Sequence, residues 1–157
     1  MRLFRIAREK YKQDLSGYGS ALYGGRWNNK GTSALYTATH ISLAVLEMVA
    51  QARRTYIAQE GAWLLELELA VASHLHSISH EALPADWRNP ARIAATQAIG
   101  DQQFQAGNLG LIVPSAVLPR ENNVVLNPRA VLYAQIKIVA CEPLDVDDRL
   151  GLRAPSK

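Results

Sequence analysis

The residue types best suited to chemistry lie in a glycine-rich stretch at residues 23–28, with the sequence YGGRWN. Five of the ten glycines fall between Gly17 and Gly31, and glycine lets a backbone come close to a ligand. Arg26 offers a planar fork of donors that fits a phosphate or a carboxylate, and the aromatic residues on both sides of it offer flat apolar faces. The stretch predicts a pocket for an anionic, aromatic ligand such as a nucleotide, and the alternative is a surface turn with a solvated arginine.

A second candidate is Glu47, the only acidic residue in the clearest helical pattern, which spans residues 40–54. Apolar residues recur there at helical spacing and form a buried stripe. A carboxylate on a well-packed helix costs stability unless it is paired or faces a cavity. Glu47 could therefore orient a ribose hydroxyl, activate water or stabilise a cationic transition state. A partly exposed carboxylate paired with Arg54 or Lys30 is the alternative.

Two polar residues follow apolar strands later in the chain. Ser115 comes directly after residues 109–114 (LGLIVP), where it could donate to a bound phosphate or sugar. No Gly-x-Ser-x-Gly motif surrounds it, so a role as a nucleophile has no support, and a serine that caps a turn is the alternative. Asn127 precedes Pro128 and is equally ambiguous, because asparagine before proline often opens a turn or caps a helix.

Three histidines, His74, His76 and His80, have the spacing His-x-His-x3-His. On a strand the first two would share one face, as two metal ligands could. No cysteine or well-placed carboxylate completes a ligand set, so we predict no metal site and expect exposed loop histidines.

A mixture of strands and helices must position these candidates. Apolar runs and alternation predict strands at residues 3–7, 33–38, 63–71, 109–113, 124–126 and 134–140. Helical spacing predicts one helix over residues 40–54 and a second that begins after Asn89-Pro90 and ends or bends near Gly100. The glycine-rich stretch is expected to be a loop. With no repeat or linker, the pattern predicts a single mixed α+β domain over residues 1–157.

Composition narrows the compartment and the partners. No apolar run reaches membrane-spanning length, the charged N-terminus is unlike a signal peptide, and the one cysteine, Cys141, excludes an internal disulfide. We therefore expect a cytoplasmic protein with no membrane partner. Residues 1–60 hold nine Lys and Arg against four Asp and Glu, and the remainder holds eight against ten. A basic N-terminal third suits a small anionic substrate, and the chain lacks the basic block of a nucleic-acid-binding tail.

The separate motifs occur in a fixed order: residues 24–28 (GGRWN), Tyr36, Glu47, residues 114–117 (PSAV) and residues 123–128 (NVVLNP). Their order and spacing resemble the RES domain family, named for its arginine, glutamate and serine, over nearly the whole chain. The resemblance implies a toxin of a bacterial toxin–antitoxin pair. It also implies an ADP-ribosyltransferase-like fold, in which a bent mixed sheet flanked by helices holds NAD in a cleft.

The resemblance assigns roles by position in the motifs. Arg26 matches the family arginine and is expected at the NAD phosphates or a ribose, and Glu47 matches the glutamate and is expected at the nicotinamide ribose. Ser115 matches the serine, and these three are the expected catalytic residues. Tyr36 matches a tyrosine near the nicotinamide. The expected NAD-binding residues are Arg26, Trp27, Asn28, Tyr36, Ser115 and Asn127.

The resemblance also implies the substrates and partners. Family members degrade NAD by hydrolysis or phosphorolysis, or ADP-ribosylate a protein, so inorganic phosphate is a candidate co-substrate and no cofactor beyond NAD is expected. The expected partner is an antitoxin with an Xre-like helix-turn-helix domain, which blocks the active site and binds operator DNA. The toxin is expected to contact DNA only indirectly, through this antitoxin. A homodimer within the toxin–antitoxin complex is a candidate assembly.

Two other functions stay open at this stage. The basic balance, and the many toxins that attack RNA, suggest an RNA-targeting or nucleic-acid-binding toxin, whose activity should depend on salt and on surface Lys and Arg. The other is a catalytically dead domain that only binds an antitoxin or a nucleotide. The presence of Arg26, Tyr36, Glu47 and Ser115 together weighs against the dead domain.

Overall fold

The computed structural model describes residues 1–52, 61–70 and 72–150. Within these residues seven strands form one sheet: β1 (Arg2–Arg8), β2 (Leu35–Ala38), β3 (Ala62–Glu68), β4 (Leu75–Ser77), β5 (Gly110–Pro114), β6 (Asn122–Leu126) and β7 (Lys137–Pro143). Three helices accompany them: α1 (Tyr18–Tyr23), α2 (Ile41–Ala52) and α3 (Ala94–Gln105). The predicted mixed α+β fold is confirmed. No helix in these ranges is long and apolar enough to span a membrane.

The sheet is continuous in each half and open in the middle. Its strand order is β4-β5-β6-β2-β1-β3-β7, and all neighbours are antiparallel except β4 and β5. β1 pairs with β3 at seven positions and β2 pairs with β6 at four. In contrast, β1 and β2 pair at one position, Phe4 opposite Ala38. The two halves therefore separate beside this pair, and a ligand can enter between them.

Both faces of β6 are buried, which explains its continuous apolar sequence. Val124 and Leu126 point to one face, into a cluster with leucines of β1, β2 and β3. Val125 points to the other face, into a cluster with the rings of Trp27 and Trp87, because successive side chains of a strand alternate. Trp27 belongs to this second cluster and also to the glycine-rich stretch, so the cluster packs the stretch against the sheet.

The helix α2 lies against β1 and β2 beside the opening. Leu43 and Ala44 are buried there in a cluster with Ala38 and the ring of Phe4. The helix predicted for residues 40–54 is confirmed at Ile41–Ala52, and residues 53–54 lie outside the described ranges. Its buried stripe differs from the predicted one, because Leu43 is buried with Ala44 and Met48 while Ile41 is exposed. Because the stripe fixes the rotation of the helix, Glu47 is carried to the opening of the sheet.

The second helix was predicted with the wrong bounds. It was expected to begin after Asn89-Pro90 and to end or bend near Gly100, but residues 90–91 form a turn and the helix is Ala94–Gln105. Gly100 does not end it. A Cβ at Gly100 would collide with the backbone carbonyl of Trp27, so this glycine allows α3 to pack closely against the glycine-rich stretch.

Short elements also differ from the sequence-based expectations. The glycine-rich region, expected to be loop, contains the six-residue α1, and β4 was not predicted. The last strand begins at Lys137, because a 3-10 turn, Val131–Gln135, occupies the residues before it. Elements of three to six residues are too short to establish a period, and tertiary contacts decide them.

Candidate active site

Glu47 lies where α2 meets the ends of β5 and β6. Its Oε1 accepts two hydrogen bonds, from the Ser115 hydroxyl at 2.7 Å and from the Asn123 side-chain amide at 2.6 Å. Among the described residues, Lys30 included, no cation forms an ion pair with Glu47 and no group donates to its Oε2. Arg54, the other suggested partner, lies outside the described ranges. Neutral donors thus hold one oxygen, and none of the described residues holds the other.

Ser115 is fully buried at the end of β5 and supports this carboxylate. Its Oγ donates to Glu47 and accepts the backbone N–H groups of Val117 at 3.1 Å and Leu118 at 3.0 Å. A serine hydroxyl has one donor and two acceptor positions, and all three are occupied here. The arrangement suits support of Glu47, and it leaves no free lone pair for nucleophilic attack.

Two guanidinium groups line the same cavity as Glu47. Arg26 donates to the backbone carbonyls of Trp87 and Arg88, and its guanidinium carbon lies 5.8 Å from the centre of the Trp87 ring. Arg88 donates through Nε to the carbonyl of Ala116 at 2.9 Å. Both arginines and Glu47 belong to the lining of one cavity. Two guanidinium groups held on one wall suit a ligand that carries more than one phosphate.

The cleft has two lobes that meet at Glu47. The larger lobe, of about 650 Å³, contains Arg26 and Arg88, and the smaller lobe, of about 250 Å³, lies between β1 and β2 and contains Arg5 and Thr37. Of the residues that the structure describes, five line both lobes: Ser20, Tyr36, Glu47, Gln51 and Asn123. A ligand that occupies both lobes must therefore pass the Glu47 carboxylate.

The Tyr36 side chain joins β2 to the glycine-rich stretch. Its hydroxyl donates to Oδ1 of Asn28 at 2.7 Å and accepts the backbone N–H of Trp27 at 2.9 Å. Burial raises the pKa of Tyr36, so the phenol stays protonated and keeps this donor. A Cβ on Gly25 would collide with the same hydroxyl, which explains the glycine there. The hydroxyl is thus used within the fold, and the rest of the ring is left to line the cleft.

Asn28 is fully buried and braces the stretch from inside. Its Nδ2 donates to the carbonyls of Ser20 at 2.9 Å and Thr32 at 2.8 Å. Asn28 is not part of the lining of either lobe, whereas its neighbour Trp27, 2% exposed, belongs both to the core and to the wall of the larger lobe. The structure brings Arg26, Trp27, Tyr36 and Glu47 to the cleft. It places Asn28 and Ser115 behind the lining, with Ser115 in contact with Glu47.

The structure places Asn127 outside the cleft. Its amide donates to the carbonyls of Phe104 at 3.2 Å and Asn108 at 3.1 Å, and its Oδ1 accepts the backbone N–H of Arg129 at 3.0 Å. These bonds brace the turn after β6 against the end of α3. We therefore give Asn127 no part in the site proposed below, and the turn-opening alternative describes its contacts.

The histidines considered as ligands are dispersed. His74 and His76 are exposed at the edge strand β4 or just before it, and His80 contacts the carbonyl of Pro119 at 2.8 Å. Within the described part of the chain, no group of three His, Cys, Asp or Glu side chains could hold a metal ion.

Sequence reasoning overlooked two residues of the cleft. Arg88 directly precedes the Asn89-Pro90 pair at which the second helix was predicted to begin, and no local pattern distinguishes it from other surface arginines. Asn123 did carry a signal, because it is a polar residue that enters an apolar strand within one of the motifs. Its significance depends on the pairing of β6 with β2 and β5, which local spacing does not give.

Several known proteins are similar to this chain in sequence or in fold. Residues 2–147 match the family model described as the RES domain. The chain is 39% identical over 153 residues to Toxin Res of Photorhabdus laumondii, covering 96% of this chain and 97% of that relative. It is 31% identical to the Prs ADP-ribosylating toxin of a Sphingobium species, covering 81% of this chain and 80% of that relative. The MbcT–MbcA toxin–antitoxin complex of M. tuberculosis contains a similar fold, with a TM-score of 0.72 at 21% identity over 91% of this chain and 83% of that one.

Fold and relatives together define the class of protein as a mixed α+β domain of bacterial toxins. The chain belongs to the RES domain family. The order of the motifs had predicted this family, and the toxin function that the resemblance implied is confirmed at the level of the family.

Proposed function

We propose that this toxin acts on NAD and breaks the bond between nicotinamide and its ribose. The observation that carries the proposal is the position of the Glu47 carboxylate where two lobes adjoin, with the described residues donating to its Oε1 and none of them to its Oε2. A dinucleotide that spans both lobes would present an internal bond to Oε2. The larger lobe offers Arg26 and Arg88 to its diphosphate.

Cleavage of the bond between nicotinamide and ribose is favoured by a negative charge beside the sugar. When the bond between C1′ of the ribose and the nicotinamide nitrogen breaks, the electron pair leaves with the neutral nicotinamide, and positive charge moves to the sugar. The resulting oxocarbenium-like transition state is the one that carboxylates stabilise in glycoside hydrolysis. A carboxylate already fixed in a cleft stabilises this charge better than water, because it needs no reorganisation.

The ring face of Tyr36 supports the leaving group in this proposal. Tyr36 lines both lobes, and its hydroxyl is held by Asn28 and Trp27. A ring whose edge is fixed in this way gives a flat, preorganised surface for the nicotinamide.

The acceptor of ADP-ribose is water, inorganic phosphate or a protein side chain, and in each case an oxygen or nitrogen lone pair of the acceptor forms the new bond to C1′. No cofactor beyond NAD enters the scheme. The Sphingobium relative is named an ADP-ribosylating toxin, which supports the transfer of ADP-ribose to a protein as one of these outcomes.

The proposed partner is an antitoxin with an Xre-like helix-turn-helix domain that covers the cleft and contacts DNA. The M. tuberculosis neighbour was solved as a toxin–antitoxin complex, which supports a partner of this kind, with a homodimer of the toxin as a candidate core of the assembly. NAD as a substrate agrees with the cytoplasmic location predicted from the sequence.

The test is NAD turnover by the purified chain, freed of any antitoxin, with and without inorganic phosphate. Wild type should release nicotinamide, whereas Glu47→Ala should not, and Glu68→Ala, which removes an exposed carboxylate paired with Arg2, should match wild type. The phosphate dependence identifies the acceptor. Intact NAD with folded wild-type protein would remove the proposal, and cellular RNA, the alternative left open by the sequence, would be the next substrate.

A further inference from the structure

We infer that Asn123 is a positioning residue for Glu47, which acts with Ser115 to fix the carboxylate oxygen that faces the bound sugar. The inference deepens the proposed function and depends on it only for the identity of the ligand. Asn123 lines both lobes of the cleft and donates to Oε1 of Glu47 at 2.6 Å.

The place of Asn123 in the sheet makes it a rigid donor. β6 has a partner on each side, and Asn123 lies opposite Ala38 of β2 and opposite Val113 of β5. The strand is therefore held along both edges, and the following residues, Val124 and Val125, are fully buried. A side chain that projects from such a strand has a fixed origin, so its amide can define the position of a partner.

Two donors on one oxygen constrain the carboxylate more than one donor does. Ser115 reaches Oε1 from the end of β5 and Asn123 reaches it from β6. With the serine alone, the Glu47 carboxylate could rotate about its Cγ–Cδ bond and exchange its oxygens. The second donor, from a different strand, removes this freedom. Oε2 is then the oxygen that stays directed to the ligand.

The chemical type of the donor also fits the task. A carboxylate only accepts hydrogen bonds, so the nitrogen of the Asn123 amide must face it. An amide is neutral, and it orients Glu47 without neutralising the negative charge that the oxocarbenium-like state requires. A lysine or arginine at this position would hold the carboxylate equally well but would compete with the sugar for its charge.

The experiment compares Asn123→Ala, Asn123→Asp and the neighbouring Asn122→Ala in purified toxin. Asn122 is exposed, precedes Asn123 on the same strand and serves as the matched control. Asn123→Ala should lower kcat for NAD consumption by about 100-fold, the cost of small misplacements of catalytic groups, with KM within about threefold. Asn122→Ala should keep both constants. A wild-type kcat in Asn123→Ala would overturn the inference.

The pH dependence of Asn123→Asp separates positioning from a loss of folding. The introduced carboxyl has the shape of the amide but can donate to Glu47 only while the pair retains a shared proton. The deficit in kcat of Asn123→Asp relative to wild type should therefore shrink by about tenfold or more between about pH 8 and pH 5.5, as the shared proton is restored. A deficit that stays constant over this range would contradict an oriented donor and would assign Asn123 to the fold.

A second readout keeps the inference separate from the choice of substrate. Each variant is also expressed under an inducible promoter in cells that lack the antitoxin, and growth is followed. If wild type arrests growth but spares NAD, the proposed reaction fails, while the Asn123 inference is still decided by growth. Asn123→Ala should then be tolerated and Asn122→Ala should remain toxic. Equal toxicity of the two variants, at equal levels of folded protein, would overturn the inference.

Discussion

Two polar networks of similar composition support the lining of the cleft. In the first, which we call the carboxylate network, Ser115 and Asn123 hold one oxygen of Glu47. In the second, the brace network, Asn28 and Tyr36 hold each other and the backbone of the glycine-rich stretch. Both combine an asparagine with a hydroxyl. The carboxylate network joins residues 68 and 76 positions apart, whereas the brace network joins residues at most nine positions apart.

The networks differ in what they leave unsatisfied. In the brace network every side-chain polar group of Asn28 and Tyr36 has a partner within the protein. In the carboxylate network, no described residue donates to Oε2 of Glu47. Glu47 itself lines both lobes. A closed network rigidifies the fold, whereas a network with one remaining acceptor is prepared for a ligand. Residue type and burial do not distinguish the two roles, but the remaining acceptor does.

The largest effect should come from removing the charge of Glu47 while keeping its shape. In Glu47→Gln the side-chain carbonyl can still accept from Ser115 and Asn123, so we expect the melting temperature to stay within about 2 °C of wild type. The kcat for NAD should fall by about 1000-fold, which corresponds to about 4 kcal/mol of transition-state stabilisation. Glu68→Gln is the control. A variant with more than a tenth of wild-type turnover would show that the carboxylate network is also only structural.

The next effect should come from the brace network and should appear in stability. Asn28→Ala removes the amide that donates to the carbonyls of Ser20 and Thr32 and the acceptor of the Tyr36 hydroxyl, so the free energy of unfolding should fall by about 3 kcal/mol. Urea denaturation measures this, with Asn29→Ala, whose exposed amide contacts Asp101 at 3.0 Å, as the mild control. If Asn28→Ala instead kept full stability and lost turnover, Asn28 would belong to the NAD site, as the family resemblance implied.

Much of the fold could be predicted because its signals are local. All the described strands except β4 follow from alternation and apolar runs, α2 follows from helical spacing, and the order of Arg26, Glu47 and Ser115 suffices to suggest the family. The contacts that give these residues their geometry are not local. Ser115 and Asn123 reach Glu47 across sequence separations of 68 and 76 residues, so they depend on the strand order of the whole sheet.

The same limit explains why the two asparagines of the motifs could not be sorted from the sequence. Asn123 and Asn127 both flank the apolar run of β6, one at each end. Pairing with β5 and β2 turns the first towards the cleft, while the second packs against the end of α3. Only the tertiary arrangement distinguishes them, and a motif match covers both equally.

A smaller effect should come from the Tyr36 hydroxyl. Tyr36→Phe removes the bonds to Asn28 and Trp27 and should lower the free energy of unfolding by about 2 kcal/mol at pH 7. The ring face is unchanged, so kcat/KM for NAD should stay within about threefold of wild type. Loss of turnover without loss of stability would move the hydroxyl from the brace network into the chemistry.

The pH dependence of this difference checks its cause. Burial raises the pKa of Tyr36 in the folded state, so its contribution to stability is complete below the unfolded-state pKa of about 10. The contribution is lost as pH rises above that value, because only the unfolded chain can then ionise. The gap between wild type and Tyr36→Phe should therefore narrow between pH 7 and about pH 10.5. A gap that widens would contradict a buried, protonated phenol.

The smallest effect should separate binding from chemistry within the cleft. Arg88 lines the larger lobe with Arg26. Among the described residues, the Arg88 guanidinium donates one hydrogen bond, from Nε to the Ala116 carbonyl, whereas that of Arg26 donates two. If Arg88 contacts the diphosphate equally in substrate and transition state, Arg88→Ala should raise KM for NAD by about tenfold, or about 1.4 kcal/mol, with kcat nearly unchanged. The variant's KM should also respond less to salt than that of wild type.

The control for this variant is Arg92→Ala, which removes an exposed arginine paired with Asp86 at 3.0 Å. It alters net charge equally, so any general effect of charge on the attraction of NAD appears in both variants. A tenfold rise in KM for Arg88→Ala alone places the diphosphate in the larger lobe. Equal rises in the two variants would show that the basic surface attracts NAD without a specific contact, and a fall in kcat alone would place Arg88 with Glu47 in the chemical step.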